Sequence, residues 1–263
     1  GAVAHVRGIL SEFFCNFSGT TTVHIWSYRE LLNQIPDHSW LVKHSHSSLE
    51  SSLFIQIFWQ SFILPSELRK IGCNVLFSPS ASTFCTFNPT VVLSQDMLSY
   101  EPGIMEKFGF GKRRMRLLAI LFLQNLSFRR SVGVIFLTRY AAKVIQDSAG
   151  KIVNKKIISH GVDQQFIDAG LALKNKPLSK IPKTLTYVSN ATPYKNQIQV
   201  IDSVLELREI GYELTLDLVG GGYGSYQETL IDKIKEVDPD GKWLIQHEFV
   251  DRNRLIKFLS RTD

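Results

Sequence analysis

Apolar residues recur at helical spacing from the first residues of the chain. Val3, Val6, Ile9, Leu10, Phe13 and Phe14 share one face of a helix expected from Ala2 to Phe14. Thr22 to Trp26 and Trp40 to Lys43 read as short strands. Ser51 to Ile71 reads as a helix, with Pro65 expected to break or restart it because its ring removes a backbone donor. Short apolar runs at Asn74 to Ser78 and Thr90 to Ser94 read as buried strands. Lys112 to Arg130 reads as a long helix, Gly133 to Thr138 as a strand, Arg139 to Gln146 as a helix and Lys155 to Ser159 as a strand.

Strands that alternate with helices and are apolar on both faces imply a parallel sheet covered on both sides. The periodicity fades from Gly170 to Lys183, where Lys, Pro and Ser accumulate, and it then begins again. Leu185 to Ser189, Glu213 to Val219 and Lys242 to His247 read as strands. Asn196 to Glu209, Tyr226 to Val237 and the stretch from the capping Asp251 to Ser260 read as helices. The expected organisation is a first α/β domain over 1–168, a linker over 169–183 and a partial second domain over 184–263. Gly1 reads as the loop before a helix and Asp263 follows a helical pattern, so the chain reads as the middle of a longer protein.

Composition narrows the picture only modestly. The 263 residues are 44% hydrophobic and 21% charged, which excludes disordered and fibrous classes. Thirty Lys and Arg against 24 Asp and Glu give a net charge of +6, which favours anionic partners without choosing among them. The three cysteines, Cys15, Cys73 and Cys85, are too scattered for a disulfide scaffold or a CxxC metal site and read as reduced thiols.

Familiar catalytic motifs are missing. Gly111-Lys112, Gly150-Lys151 and Gly241-Lys242 lack the rest of a GxxxxGK[ST] loop. The run from Gly220 to Ser225 puts Ser where a dinucleotide fingerprint needs its third glycine. No HExxH or GxSxG occurs, and His44 with His46 in a polar loop is more simply a solvated pair than a zinc ligand set. What remains is Tyr187 to Gln197, where a strand ends, a loop turns and Lys195 stands at the start of a helix. A cation there opposes the helix dipole unless an anion lies between them, although a solvated surface Lys is the plainer alternative.

From Val188 to Asn196 the chain resembles family 4 of the GT-B glycosyltransferases, the "glycosyl transferases group 1" domain, which reads V-G-R-L-x-x-x-K-[GN] here. Leu218-Val219-Gly220-Gly221-Gly222 resembles that family's L-V-G-x-G. Phe249-Val250-Asp251 with Leu255 to Asp263 resembles its F-x-G-x-V stretch. Val134 to Ala141, Ile158 to Asp163 and Gly1 to His5 resemble its remaining segments in the family's order, so the likeness covers nearly the whole chain. It implies two Rossmann-like doubly wound domains facing a cleft, the first on the acceptor side and the second holding a nucleotide-sugar, with the second incomplete. Asn190 stands where the family has Arg, and the family's E-x7-E stretch would fall beyond Asp263.

The resemblance implies transfer of a hexose-type sugar from a nucleotide-diphosphate sugar to a saccharide or lipid-linked acceptor, with retention of anomeric configuration. It places the protein in cell-surface polysaccharide or lipopolysaccharide synthesis. No metal or other cofactor is expected, so cations and N–H groups must stabilise the leaving diphosphate. Lys195 would supply that charge. Asn190 would add a neutral hydrogen bond or merely cap a turn. Gly1 would approach the diphosphate from the first domain, and Gly221 and Gly222 would admit the donor or serve a turn. Phe249 and Val250 would pass near the base or pack in the core. On the acceptor side stand Gln95, Asp96 and His160, with Asp96 orienting or deprotonating the acceptor hydroxyl or simply forming a turn.

Lys112 to Arg130 has basic ends and an apolar centre, which suits either a buried helix or one lying on an anionic membrane. No signal peptide and no apolar run long enough to span a bilayer is seen. A cytoplasmic location is therefore expected, with or without peripheral contact at the inner face of the plasma membrane. Dispersed basic residues without interleaved aromatics argue against nucleic acid. Two other readings stay open, a sugar-nucleotide epimerase of GT-B fold and a non-catalytic fragment that binds nucleotide-sugar.

Overall fold

A computed structural model describes residues 2–12, 22–107, 110–173 and 183–262. The chain divides into two compact units, Gly1–Gly161 and Val162–Asp263.

In the first unit the elements are α1 (Ala2–Glu12), β1 (Val23–Trp26), α2 (Arg29–Asn33), β2 (Leu41–His44), α3 (Leu53–Phe58), α4 (Leu64–Ile71), β3 (Leu76–Ser78), β4 (Thr90–Ser94), α5 (Ile104–Lys107), α6 (Lys112–Arg130), β5 (Gly133–Phe136), α7 (Arg139–Ala149) and β6 (Lys155–Ile157). All strands pair in parallel, as β1-β2 and as β3-β4-β5-β6. Val92 of β4 and Val134 and Phe136 of β5 are shut from water against Phe128 of α6 and Ala142 and Ile145 of α7. Thr138 starts α7 because its hydroxyl accepts the Ala141 N–H, satisfying one of the free donors of the first turn. A second cluster joins Leu10 of α1 to Leu31, Ile35 and Leu41.

Of the two expectations for Pro65, a break or a restart, the restart fits: α4 begins at Leu64 and Pro65 sits in its first turn, where a missing N–H costs least. The irregularity lies just before it, in a π-helical stretch, Trp59–Ile63, that turns Trp59 into the cluster with Leu64, Leu68, Cys85 and Phe87. β6 is exposed along its length and is a sheet edge rather than a strand covered on both faces. Cys73 and Cys85 are free thiols, and burial raises the pKa of both; Cys15 lies outside the described residues.

In the second unit the elements are α8 (Gln164–Leu173), β7 (Thr184–Val188), α9 (Gln197–Glu209), β8 (Thr215–Val219), α10 (Ser225–Val237), β9 (Leu244–His247) and α11 (Arg252–Arg261). The sheet order is β7-β8-β9, again parallel. Its core joins Leu216 and Leu218 of β8 and Leu244 of β9 to Ile201, Val204 and Leu230 of the helices. The expected linker overlaps α8, which runs to Leu173 and lies against α11. Arg252 of α11 pairs there with Asp163. Gly170 weakened the helical signal in the sequence, yet nothing lies within 4 Å of where its Cβ would be. Residues 174–182 lie outside the described residues. The turn between α10 and β9 is organised by the buried Asp238, whose carboxylate accepts the N–H groups of Lys242 at 3.0 Å, Trp243 at 2.8 Å and Leu244 at 2.8 Å.

Candidate functional site

The carboxyl ends of β7, β8 and β9 carry three loops that are fastened to one another before any ligand is considered. Ser189 N donates to Val219 O at 2.9 Å, Ala191 N to Gly221 O at 3.1 Å and Gly220 N to His247 O at 3.1 Å. Glycine is required at two positions of this seam. Gly220 has φ +119°, and a Cβ there would lie 2.5 Å from Ser189 O. A Cβ at Gly222 would lie 2.7 Å from Ala191 O and 2.8 Å from Ala191 Cβ. Gly221 meets only Glu248 Cα, at 3.8 Å. The close approach that Gly222 permits is thus to the β7 loop of its own unit.

A polar strut holds the same loop from below. Gln197, 1% exposed at the start of α9, donates through Nε2 to Asn190 O at 2.8 Å and accepts from the Tyr226 hydroxyl at 3.4 Å. Tyr187 Oη donates to Lys195 O at 2.6 Å. Lys195 stands in a short 3-10 turn, Pro193–Lys195, and Asn196 after it takes a left-handed conformation (φ 57°) that launches α9. The Lys195 side chain is exposed and its Nζ lies 5.6 Å from the ring of Tyr194. No carboxylate among the described residues pairs with it. Thr192 Oγ1, in the same loop, is buried without a hydrogen-bond partner.

The structure therefore brings Asn190, Lys195, Gly221, Gly222, Phe249 and Val250 to one edge of the second sheet. Phe249 is 63% exposed, so it is not packed in the core, and Val250 is half-buried. Sequence reasoning missed Tyr223, which projects from the loop after β8 at 91% exposure, and it missed Gln197. Gln197 was detectable in principle, since it lies four residues before Ile201 on the inward face of its helix and so had to be a buried polar group.

The acceptor-side candidates gather on the first unit. Gln95 and Asp96 follow β4, and Asp96 Oδ1 accepts the Leu98 N–H at 2.9 Å. Asp96 is exposed, whereas Ser94 Oγ and Gln95 Nε2 are buried without partners. His160 follows β6, and its Nδ1 lies 3.1 Å from Nδ1 of His5, in the first turn of α1. His5 was not singled out by the sequence. Gly1 lies outside the described residues. Among the described residues no group of three or more His, Cys, Asp or Glu could hold a metal ion. His44 contacts His24 at 2.9 Å while His46 caps a turn at Ser48, so the two sequence neighbours serve different partners.

No protein-family model matches the sequence, and no curated protein matches it. Solved structures do. HepE of Anabaena, in complex with UDP and glucose, superposes over 100% of this chain and 69% of its own length, with a TM-score of 0.62 and 16% identity. Sucrose-phosphate synthase of Thermosynechococcus elongatus matches over 85% of this chain and 56% of its own, with a TM-score of 0.55 and 14% identity. The chain thus spans about two thirds of the first neighbour and little over half of the second. These likenesses show the fold: Rossmann-like α/β units with parallel sheets, as in GT-B enzymes.

Proposed function

We propose that this chain has the function of a glycosyltransferase that moves a hexose-type sugar from a nucleotide-diphosphate sugar to a saccharide or lipid-linked acceptor, in cell-surface polysaccharide or lipopolysaccharide synthesis. The observation that carries the reading is the exposed ammonium of Lys195, without a carboxylate partner among the described residues, on a loop fastened to the carboxyl edge of a parallel sheet. Ligands of open α/β sheets bind at that edge. A cation carried on that rim is suited to a leaving diphosphate, whose developing charge it offsets. Asn190 adds a neutral donor, and the exposed rings of Phe249 and Tyr223 offer a platform for a base. On the first unit Asp96 orients or deprotonates the acceptor hydroxyl through the oxygen not engaged by Leu98. The complex of HepE with UDP and glucose and the resemblance to family 4 support the same substrate class, and the resemblance also supports retention and metal-independent chemistry.

Lys195→Ala is expected to weaken UDP or GDP binding by roughly 10- to 100-fold, as for a lost charge-assisted hydrogen bond. Isothermal titration of the full chain with each diphosphate checks this, and equal affinities in wild type and variant refute the role.

Peripheral contact with an anionic membrane at a cytoplasmic face belongs to the same proposal. Lys112, Arg113, Arg114 and Arg116 open α6, which carries no acidic residue. Leu117, Gln124 and Phe128 turn inward, while Met115, Leu118 and Phe122 are exposed beside the fully exposed Phe110. The exposed side of α6 thus carries basic and apolar groups together, which supports contact with an anionic surface. Among the described residues no helix is long and apolar enough to cross a membrane. Replacing Arg113 and Arg114 together by Ala is expected to lower binding to phosphatidylglycerol vesicles roughly 30-fold, at about 1 kcal/mol per basic residue near the surface. Co-sedimentation, with phosphatidylcholine vesicles as the neutral control, measures it.

A further inference from the structure

The helical run that joins β2 to β3 has an anchored side and an open one. α3, the π-helical stretch and α4 follow one another directly from Leu53 to Ile71. Trp59, Leu64 and Leu68 hold the inner side in the cluster with Cys85 and Phe87. The run is fastened there as well, since Gln60 Oε1 accepts the Phe84 N–H at 3.4 Å and Ser61 O accepts the Thr86 hydroxyl at 3.3 Å. Its outer side carries Phe54, Phe58 and Phe62, which are 82%, 57% and 68% exposed, with Leu53 and Ile55 exposed beside them. The rings of Phe58 and Phe62 lie 5.2 Å apart between centroids.

Single apolar residues at a surface are ordinary, but a contiguous aromatic stripe marks an interaction surface. Charge decides what covers it. No charged residue occurs from 51 to 66, and the two residues that bracket this run are carboxylates, Glu50 and Glu67. Both are engaged within the unit, Glu50 by the Arg29 N–H at 3.0 Å and Glu67 by Trp26 Nε1 at 3.1 Å. The cations that follow, Arg69 and Lys70, lie in the last turn of α4. An anionic membrane would find no cation among these rings, in contrast to α6, whose exposed apolar groups follow Lys112, Arg113 and Arg114. A second copy of the chain meets no such mismatch. Two bodies of net charge +6 repel, and an uncharged face is where they can approach.

The spacing of the rings suits the same partner. Phe54, Phe58 and Phe62 are four residues apart, so they share one helix face and read the same in both directions about Phe58. A two-fold axis at Phe58 sets that ring against its own counterpart and each Phe54 against the partner's Phe62, with the two helices antiparallel. At about 200 Å² for a whole Phe side chain, the three rings offer about 400 Å² per copy and about 800 Å² when two copies meet. Leu53 and Ile55 bring the pair to about the 1,000 Å² that a specific interface needs.

We propose that Phe54, Phe58 and Phe62 form the interface of a two-fold homodimer, an antiparallel helix pair centred on Phe58. The interface is independent of the nucleotide-sugar reading and would survive its failure.

Sedimentation velocity of the full chain over micromolar concentrations tests the proposal, with wild type expected to be a dimer. Phe58→Asp sets two carboxylates face to face at the axis and should weaken association about 100-fold or more. Its circular dichroism should match wild type, because the ring it removes is outside the core. Phe54→Lys and Phe62→Glu should each weaken the dimer. The double variant Phe54→Lys/Phe62→Glu should recover about tenfold or more over either single change, since antiparallel pairing puts Lys against Glu at both ends. That recovery is read without Phe58→Asp and so holds whether or not the Asp variant folds. A monomeric wild type, an unchanged dimer in Phe58→Asp, or no recovery in the double variant overturns the proposal. So does a monomer that binds phosphatidylglycerol vesicles through Phe58, which would give this face to a membrane.

Discussion

Gly220→Ala is expected to leave the second unit about 3 kcal/mol or more less stable, enough to lose its cooperative transition altogether. Two costs add at this position. The backbone holds φ +119°, which an L residue adopts only with strain. The new methyl would also meet Ser189 O at 2.5 Å and Ser189 C at 2.9 Å, and neither atom can retreat while Ser189 N is bonded to Val219 O. Relief therefore requires parting the β7 and β8 loops, which are the seam of the candidate site. Gly221→Ala is the control in the same run of glycines, because its Cβ would find only an ordinary contact with Glu248 Cα at 3.8 Å. Calorimetry of the full chain should show the second unit's transition lost or strongly lowered in the first variant and nearly unchanged in the second. Equal transitions in the two variants would mean that the seam does not depend on Gly220.

Asp238→Ala is expected to cost about 3 kcal/mol, since three backbone N–H groups at the entry to β9 would lose one charged acceptor. Asp238→Asn keeps one carbonyl oxygen and should cost less. Burial alone pushes the carboxyl's pKa up, but the N–H groups of Trp243, Lys242 and Leu244, with the Arg208 guanidinium, outweigh it and hold the pKa below the ordinary carboxylate value. A folded-state pKa below the unfolded one stabilises the protein fully above the unfolded value. That contribution disappears as the pH falls through the folded value. Chemical unfolding between pH 6 and pH 2, at about one-unit steps, should therefore show wild type losing stability below about pH 4. The Asn variant should lack that component, and parallel curves for the two proteins would exclude it.

Much of the fold was legible because both signals that mark a parallel α/β unit are strong here. The strands are short apolar runs ending in Ser, Asn or Gly, and helices such as α7 and α11 announce themselves with Thr138 and Asp251 as caps. The elements that escaped notice are the short ones, α2 and α5, and α8, where Gly170 interrupts the pattern. The π-helical stretch at Trp59–Ile63 was also beyond reach, because one inserted residue leaves composition and local periodicity almost intact. Of the site, the segment around Lys195 stood out as a cation at a loop-to-helix junction. Tyr223 did not, and Phe249 was reached only through the family resemblance, since nothing in sequence distinguishes an aromatic ring bound for solvent from one bound for a core. The His5 and His160 contact joins residues 155 positions apart and has no local signature.

The seam that ties Ser189, Ala191, Gly220 and Gly222 together has an evolutionary corollary. Shape at that rim is dictated by main-chain geometry, while chemistry is supplied by outward groups such as Asn190, Lys195, Tyr223 and Phe249. Substitutions at the outward positions can retune what is recognised without endangering the scaffold, so descendants of this chain are free to diversify in preference while their glycines stay put.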